Sequence, residues 1–266
     1  MNVKNIFKDS LNYSTKDWDK LLTLGVLFFI GGLLSLFPTI GIALNNPILT
    51  QLLTTIGNIV ALIVVLIAMG YALLVVRDTI NDFNEIPELN LIKNIFDGIK
   101  VFFVSVIYYV IALVIVTLIA IGTGVINNVG RIILIYLTYG PDAVIPSSIL
   151  ANSGDIIVII IIIWIILVLI STLFLAIALS RMAKTDSIKA AFELSNIFAD
   201  ILKIGWMNYI ILAILHMVIL AIFFVIAIII SIIPFIGFVT VLLLIIPFLI
   251  IFNSRTLGLI YKKSIE

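Results

Sequence analysis

The chain has no cysteine and a single histidine, and charged residues make up only 11% of its 266 positions. Missing thiols exclude disulfides, thiolate nucleophiles, iron–sulfur ligation and cysteine zinc sites. With one imidazole, a histidine-ligated metal centre would need carboxylates to complete it, and none falls inside an apolar run. A Ser-His-Asp arrangement would need an aspartate beside His216, and the run around that residue holds no carboxylate. No phosphate-binding glycine loop, Gly-x-Ser-x-Gly elbow or His-Glu-x-x-His string occurs. An enzyme is therefore the least expected class, with no catalytic residue, metal or cofactor expected. Asp97 and Asp200, the best-placed carboxylates, read as solvated charges on helix surfaces.

What fills the space left by charge is apolar: 64% of the residues are hydrophobic, against about half in a soluble domain. The expected fold is all-α, a polytopic membrane helix bundle. Six runs reach spanning length, at about residues 21–44, 56–76, 101–126, 156–180, 208–233 and 235–252. A helix rises 1.5 Å per residue, so each reaches roughly the 30 Å thickness of a bilayer's hydrocarbon. The isoleucine run 159–163 would favour a strand in water, but a lone strand cannot satisfy its backbone in lipid. The first run begins too late and extends too far for a signal peptide, and reads as a retained span. Residues 1–266 read as a single membrane domain.

Direction follows from the basic residues. Every lysine and arginine except Arg131 falls in segments that an even number of crossings places on one side, and the positive-inside rule makes that side cytoplasmic. Both termini are expected there, with the cell membrane as the compartment. All the acidic residues except Asp142 and Asp155 share that side. The collar is thus nearly neutral, which suits neither a polybasic lipid switch nor nucleic acid.

Polar residues recur at helical spacing ahead of the odd-numbered spans. Asp186, Lys189, Glu193, Asn196, Asp200 and Lys203 form one stripe; Lys93, Asn94, Asp97 and Lys100 form another; Asn2, Asn5, Lys8, Asp9 and Asn12 form a third. These read as interfacial amphipathic helices with their polar stripes exposed. The strings Ile6-Phe7-Lys8-Asp9, Ile95-Phe96-Asp97-Gly98 and Ile197-Phe198-Ala199-Asp200 suggest three units, each an elbow helix followed by a two-span hairpin. Between spans three and four, the apolar Ile132–Leu137 is too short to cross and reads as a lid or a re-entrant piece. Pro38 and Pro247 are expected to kink spans one and six.

His216 is the one ionisable group placed well inside a span, where a neutral imidazole hydrogen-bonded to a neighbouring helix is the plainer reading and proton-linked function the sharper one. Arg77 closes span two and Asp97 lies on the second elbow with Lys100 three residues on, so Arg77 is expected to pair with Asp97 and lock that elbow.

Gly70-Tyr71, Arg77, Pro87-Glu88-Leu89, Asp97-Gly98-Ile99-Lys100 and Tyr108, with Pro234, Gly237, Pro247, Arg255 and Gly258 near the end, resemble an uncharacterised, largely archaeal family of multi-pass membrane proteins classed as a domain of unknown function. Asn84-Glu85-Ile86 departs from the Gly-Glu pair that family shows before its proline. The resemblance implies a membrane fold and no mechanism. Taken with the nearly charge-free interior, the sequence favours a non-catalytic module that binds membrane lipids, partner proteins or further copies of itself. The alternative is a permease-like carrier for a neutral or apolar solute, motivated by the kinked spans and His216.

Overall fold

The computed structural model describes residues 3–265, apart from the side chains of residues 148 and 150–153. Every described regular element is helical. In chain order these are α1 (Val3–Ser14), α2 (Trp18–Ser35), α3 (Pro38–Ala43), α4 (Pro47–Ile80), α5 (Leu91–Gly122), α6 (Val125–Tyr139), α7 (Ser147–Thr185), a 3₁₀ turn (Ile188–Phe192), α8 (Leu194–Ile204), α9 (Trp206–Ser231), α10 (Ile236–Thr240), a π turn (Val241–Ile245) and α11 (Ile246–Lys262). Among the described residues, six helices are long and apolar enough to cross a membrane: Trp18–Ala43, Pro47–Ile80, Leu91–Gly122, Gly154–Thr185, Trp206–Ser231 and Ile236–Lys262. The polytopic all-α bundle read from the sequence is therefore the fold, and the isoleucine run 159–163 is helical within α7.

The ends follow local chemistry. Asp17 caps α2 by accepting from the Lys20 amide at 3.2 Å, and Asn46 caps α4 by accepting from the Leu49 amide at 3.0 Å, with Pro47 in the first helical turn. Asn90 does the same ahead of α5, accepting from the Lys93 amide at 3.0 Å. Span one breaks at Leu36–Phe37, and α3 restarts on Pro38. In span six Pro247 supplies no amide for Leu243, and the helix widens into the π turn just before it. The Leu243 carbonyl comes so close to α2 that a Cβ on Gly25 would lie 2.2 Å from its oxygen.

Two of the expected elbows differ from their reading. The second is continuous with span three in α5, because Asn90 caps at the elbow's start and no proline or glycine pair interrupts the helix before the span. The third is divided at Glu193 into the 3₁₀ turn and α8, and Gly205, at φ 87°, turns the chain into α9. The segment Ile132–Leu137 lies within the 15-residue helix α6.

The chain divides into two compact units. Residues 105–175 form the smaller, carrying α6 with the adjoining parts of α5 and α7. Residues 1–104 and 176–266 form the larger, where α4 packs on α2, α3 and α11, and α1 lies against α11. Its core at the basic end gathers Tyr13, Leu21, Leu24, Tyr71, Val75, Ile86 and Ile251. At the α4–α5 crossing, a Cβ on Gly70 would stand 1.9 Å from the Asn94 carbonyl oxygen and one on Gly98 1.8 Å from that of Leu66, so the backbones touch where only hydrogen fits.

Candidate functional site

Arg77, Arg181 and Arg255 are, apart from Arg131, the chain's only arginines, and each stands near the end of an even-numbered span. All three lie in the larger unit. Guanidinium suits such a place because its fixed fork can hold a carboxylate and a carbonyl at once.

Arg77 donates through Nε to the Ala183 carbonyl at 3.1 Å, bonds Asp186, and brings an Nη to 3.8 Å from Asp97. Lys100 completes Asp97 with a bond of 2.7 Å. Arg181 donates to Asp200 at 2.7 Å, to Glu193 at 2.8 Å and to the Ala190 carbonyl at 3.4 Å. Arg255 donates to Asp9 at 2.7 Å, to Asn84 Oδ1 at 3.0 Å and to the Phe83 carbonyl at 3.2 Å, with its guanidinium 4.4 Å above the Tyr13 ring. Each arginine thus fastens the aspartate of one elbow: Asp97 on α5, Asp200 on α8 and Asp9 on α1. Asp82 and Asp186, both left-handed residues just past α4 and α7, receive Lys262 and Arg77 respectively.

Asp97 is 4% exposed and Asp200 7%, while Phe96 is 63% and Phe198 46% exposed. The Asn94 and Asp97 side of the second elbow therefore faces the protein with Phe96 outward, the inverse of the solvated arrangement expected from spacing, while on the third elbow Asp200 alone of the stripe is buried, beside Ile197, Ile201 and Ile204. The reason is pairing: a carboxylate beside an arginine is better placed inside than an unpartnered phenyl ring is in water, and lipid accepts the ring.

Between α4 and α5 the chain forms a strap, residues 83–87, whose successive carbonyls are each claimed by a side chain. Arg255 takes Phe83, Lys16 takes Asn84 at 2.8 Å, Tyr13 takes Glu85 at 2.8 Å, Lys20 takes Ile86 at 2.6 Å and Tyr71 takes Pro87 at 3.0 Å. Ile86, 1% exposed, anchors the strap in the core. Burial raises the Tyr13 hydroxyl's pKa above its ordinary value despite the neighbouring Arg255, so it stays a donor. On the third elbow the Glu193 carboxyl is held below its ordinary value, first by the Asn196 amide and then by Arg181.

His216 lies apart from these latches. Its Nε2 is 2.6 Å from Asn253 Oδ1, and its ring stacks between Phe7 and Phe252 at 6.2 and 5.7 Å. Since the amide oxygen accepts, Nε2 carries the proton, and Nδ1 has no partner among the described residues. Asn94, fully buried at the Gly70 crossing, likewise lacks partners for both side-chain polar atoms.

Of the residues singled out from sequence, Arg77, Asp97 and Lys100 come together and His216 does not join them. Arg181, Asp9, Asn253 and the strap's five donors were not anticipated as a set. The placement of three of the four arginines at the ends of spans two, four and six was the available signal.

Residues 53–234, more than half of the chain, match the family model described as a protein of unknown function, DUF4013. The chain belongs to that family. No curated protein and no solved structure matches it. The DUF4013 match contains the strap with Tyr71, and the Arg77 and Arg181 latches. Tyr13, Lys16, Lys20 and Arg255, which hold the rest of the strap, lie outside it.

Proposed function

We propose that this member of the family is a non-catalytic module of the cell membrane that acts by binding membrane lipids or neighbouring membrane proteins, further copies of itself among them, with both termini cytoplasmic. The observation that carries this reading is the engagement of the buried charged groups at the basic end. Asp97, Asp200 and Arg255 are buried and paired with Arg77, Arg181 and Asp9 on other helices, so they serve the fold, while Phe96 and Phe198 stand outward. Three like latches, each joining a span-ending arginine to an elbow aspartate, support three elbow-and-hairpin units. The latches also place Asn94 and Asp97 in register with Ile6 and Asp9 and with Ile197 and Asp200, one residue off the Ile-Phe strings.

Purification in native membrane patches, followed by mass spectrometry of retained lipids and cross-linked proteins, tests the module. Recovery of a reproducible lipid or partner is expected, and recovery of neither would overturn it. A reporter after Gly140 should be external and one at the C-terminus internal, with the reverse result refuting the orientation. The second reading, a carrier for a neutral or apolar solute, draws on the His216–Asn253 pair and the breaks in spans one and six. Solute flux in liposomes that disappears in a His216→Phe variant would establish it over the module.

A further inference from the structure

Asn253 is exposed although it lies in span six among apolar residues. Its Oδ1 is occupied by His216, and its amide Nδ2 has no partner among the described residues. That donor sits on the wall of a shallow groove of 240 Å³ between spans one, two and six, where the other lining residues are apolar, among them Phe28, Val65, Ala68, Ala72 and Ile250. Arg255 follows Asn253 by two residues, a rise of about 3 Å, and belongs to the charged layer with Asp9 and the strap. The amide is therefore just beneath the charged layer, where a glycerolipid carries its ester or ether oxygens.

We propose that this groove holds one chain of a membrane glycerolipid, with Asn253 Nδ2 donating to the oxygen at the head of that chain. The inference rests on the lipid-binding reading above and gives it a site. Three features select this occupant. The volume falls below the roughly 300–1,000 Å³ of pockets that enclose a whole small molecule, so it fits a stretch of chain. One polar group on an otherwise apolar wall matches an amphiphile with one acceptor at the start of a long apolar tail. The nearby arginine is fully engaged by Asp9, Asn84 and the Phe83 carbonyl, so recognition runs through the lipid's oxygen and not its head-group charge.

The test uses full-length protein in phosphatidylcholine nanodiscs doped with a phosphatidylcholine bearing a diazirine high on one acyl chain. After irradiation, labelling of the peptides around Val65–Ala72 and Ile246–Asn253 should saturate as the probe fraction rises, while labelling elsewhere on the spans rises linearly. Asn253→Leu should lower groove labelling about fivefold, the worth of one hydrogen bond in a membrane interior. Ala72→Phe, which fills the groove and keeps the amide, should abolish it. Uniform, unsaturable labelling in the wild type would overturn the site, as would groove labelling unchanged in both variants. If native lipid is still retained in that case, the module reading stands without this site; if no lipid or partner is retained, both fall.

Discussion

Arg255 donates through Nε to Asp9 at 2.7 Å across 246 positions of sequence, joining the last span to the first helix. This pair closes a circuit: span two fastens the second elbow, span four the third, and span six returns to the first. The same guanidinium clamps the strap that follows span two, so the chain's ends are organised around its middle.

Arg255→Ala should destabilise the protein by about 3–5 kcal/mol, because it leaves a strap carbonyl and Asn84 without their donor as well as breaking an ion pair whose arginine is 4% exposed. Asp9→Ala should cost less, because the buried Arg255 loses its counter-ion but keeps Asn84 Oδ1, the Phe83 carbonyl and the Tyr13 ring as partners. Thermal melting of both variants in one detergent checks the order, and equal losses would contradict it.

A double-mutant cycle on Arg77 and Asp97 should give a coupling of about 1 kcal/mol. Their atoms are 3.8 Å apart, with Asp97 buried and Arg77 half-buried, but Lys100 and Asp186 share the pair and keep the value modest. Zero coupling would mean that Arg77 acts through Asp186 and the Ala183 carbonyl alone.

Glycine-to-alanine substitutions should separate sharply. At Gly70 the new Cβ would meet the Asn94 backbone at 1.9 Å, and at Gly25 the Leu243 carbonyl at 2.2 Å, so both should lower the melting temperature by several degrees through forced displacement of a helix. Gly130, inside α6 with open space around it, should gain about 0.5–1 kcal/mol of helix stability from the same change.

Acid should loosen the third elbow first. The Glu193 carboxyl is depressed in the folded protein by Asn196 and Arg181, so its contribution is present above the ordinary glutamate value of about 4.3 and is lost as pH falls through the lower folded value. Hydrogen exchange of α8 should rise below about pH 4, and Glu193→Gln should remove that pH dependence.

How much of this was legible beforehand differs by element. The boundaries expected for span five, 208–233, are close to α9, because length and hydropathy decide them, whereas α7 runs beyond the expected span four at both ends. The second elbow's fusion with span three was not legible, since Asn90 and the residues after it permit either a bend or a straight helix. The stripes containing Asp97 and Asp200 were correctly spaced, but Asn94 and Asp97 face the protein, and in the other stripe Asp200 alone turns inward. Periodicity shows that a helix has two unlike faces and carries no sign for which face meets the protein.

The sequence by itself determined six helices long and apolar enough to cross a membrane, because backbone satisfaction and hydrocarbon thickness act locally on each run. It also determined which residues gather at one end, through the distribution of lysine and arginine. The tertiary structure decided which partner each charge takes, that the strap's carbonyls are claimed by α1, α2, the turn between them, α4 and α11, and that Asn253 lines an apolar groove. Those are relations between residues far apart in the chain, and their energies exist only once the helices are packed.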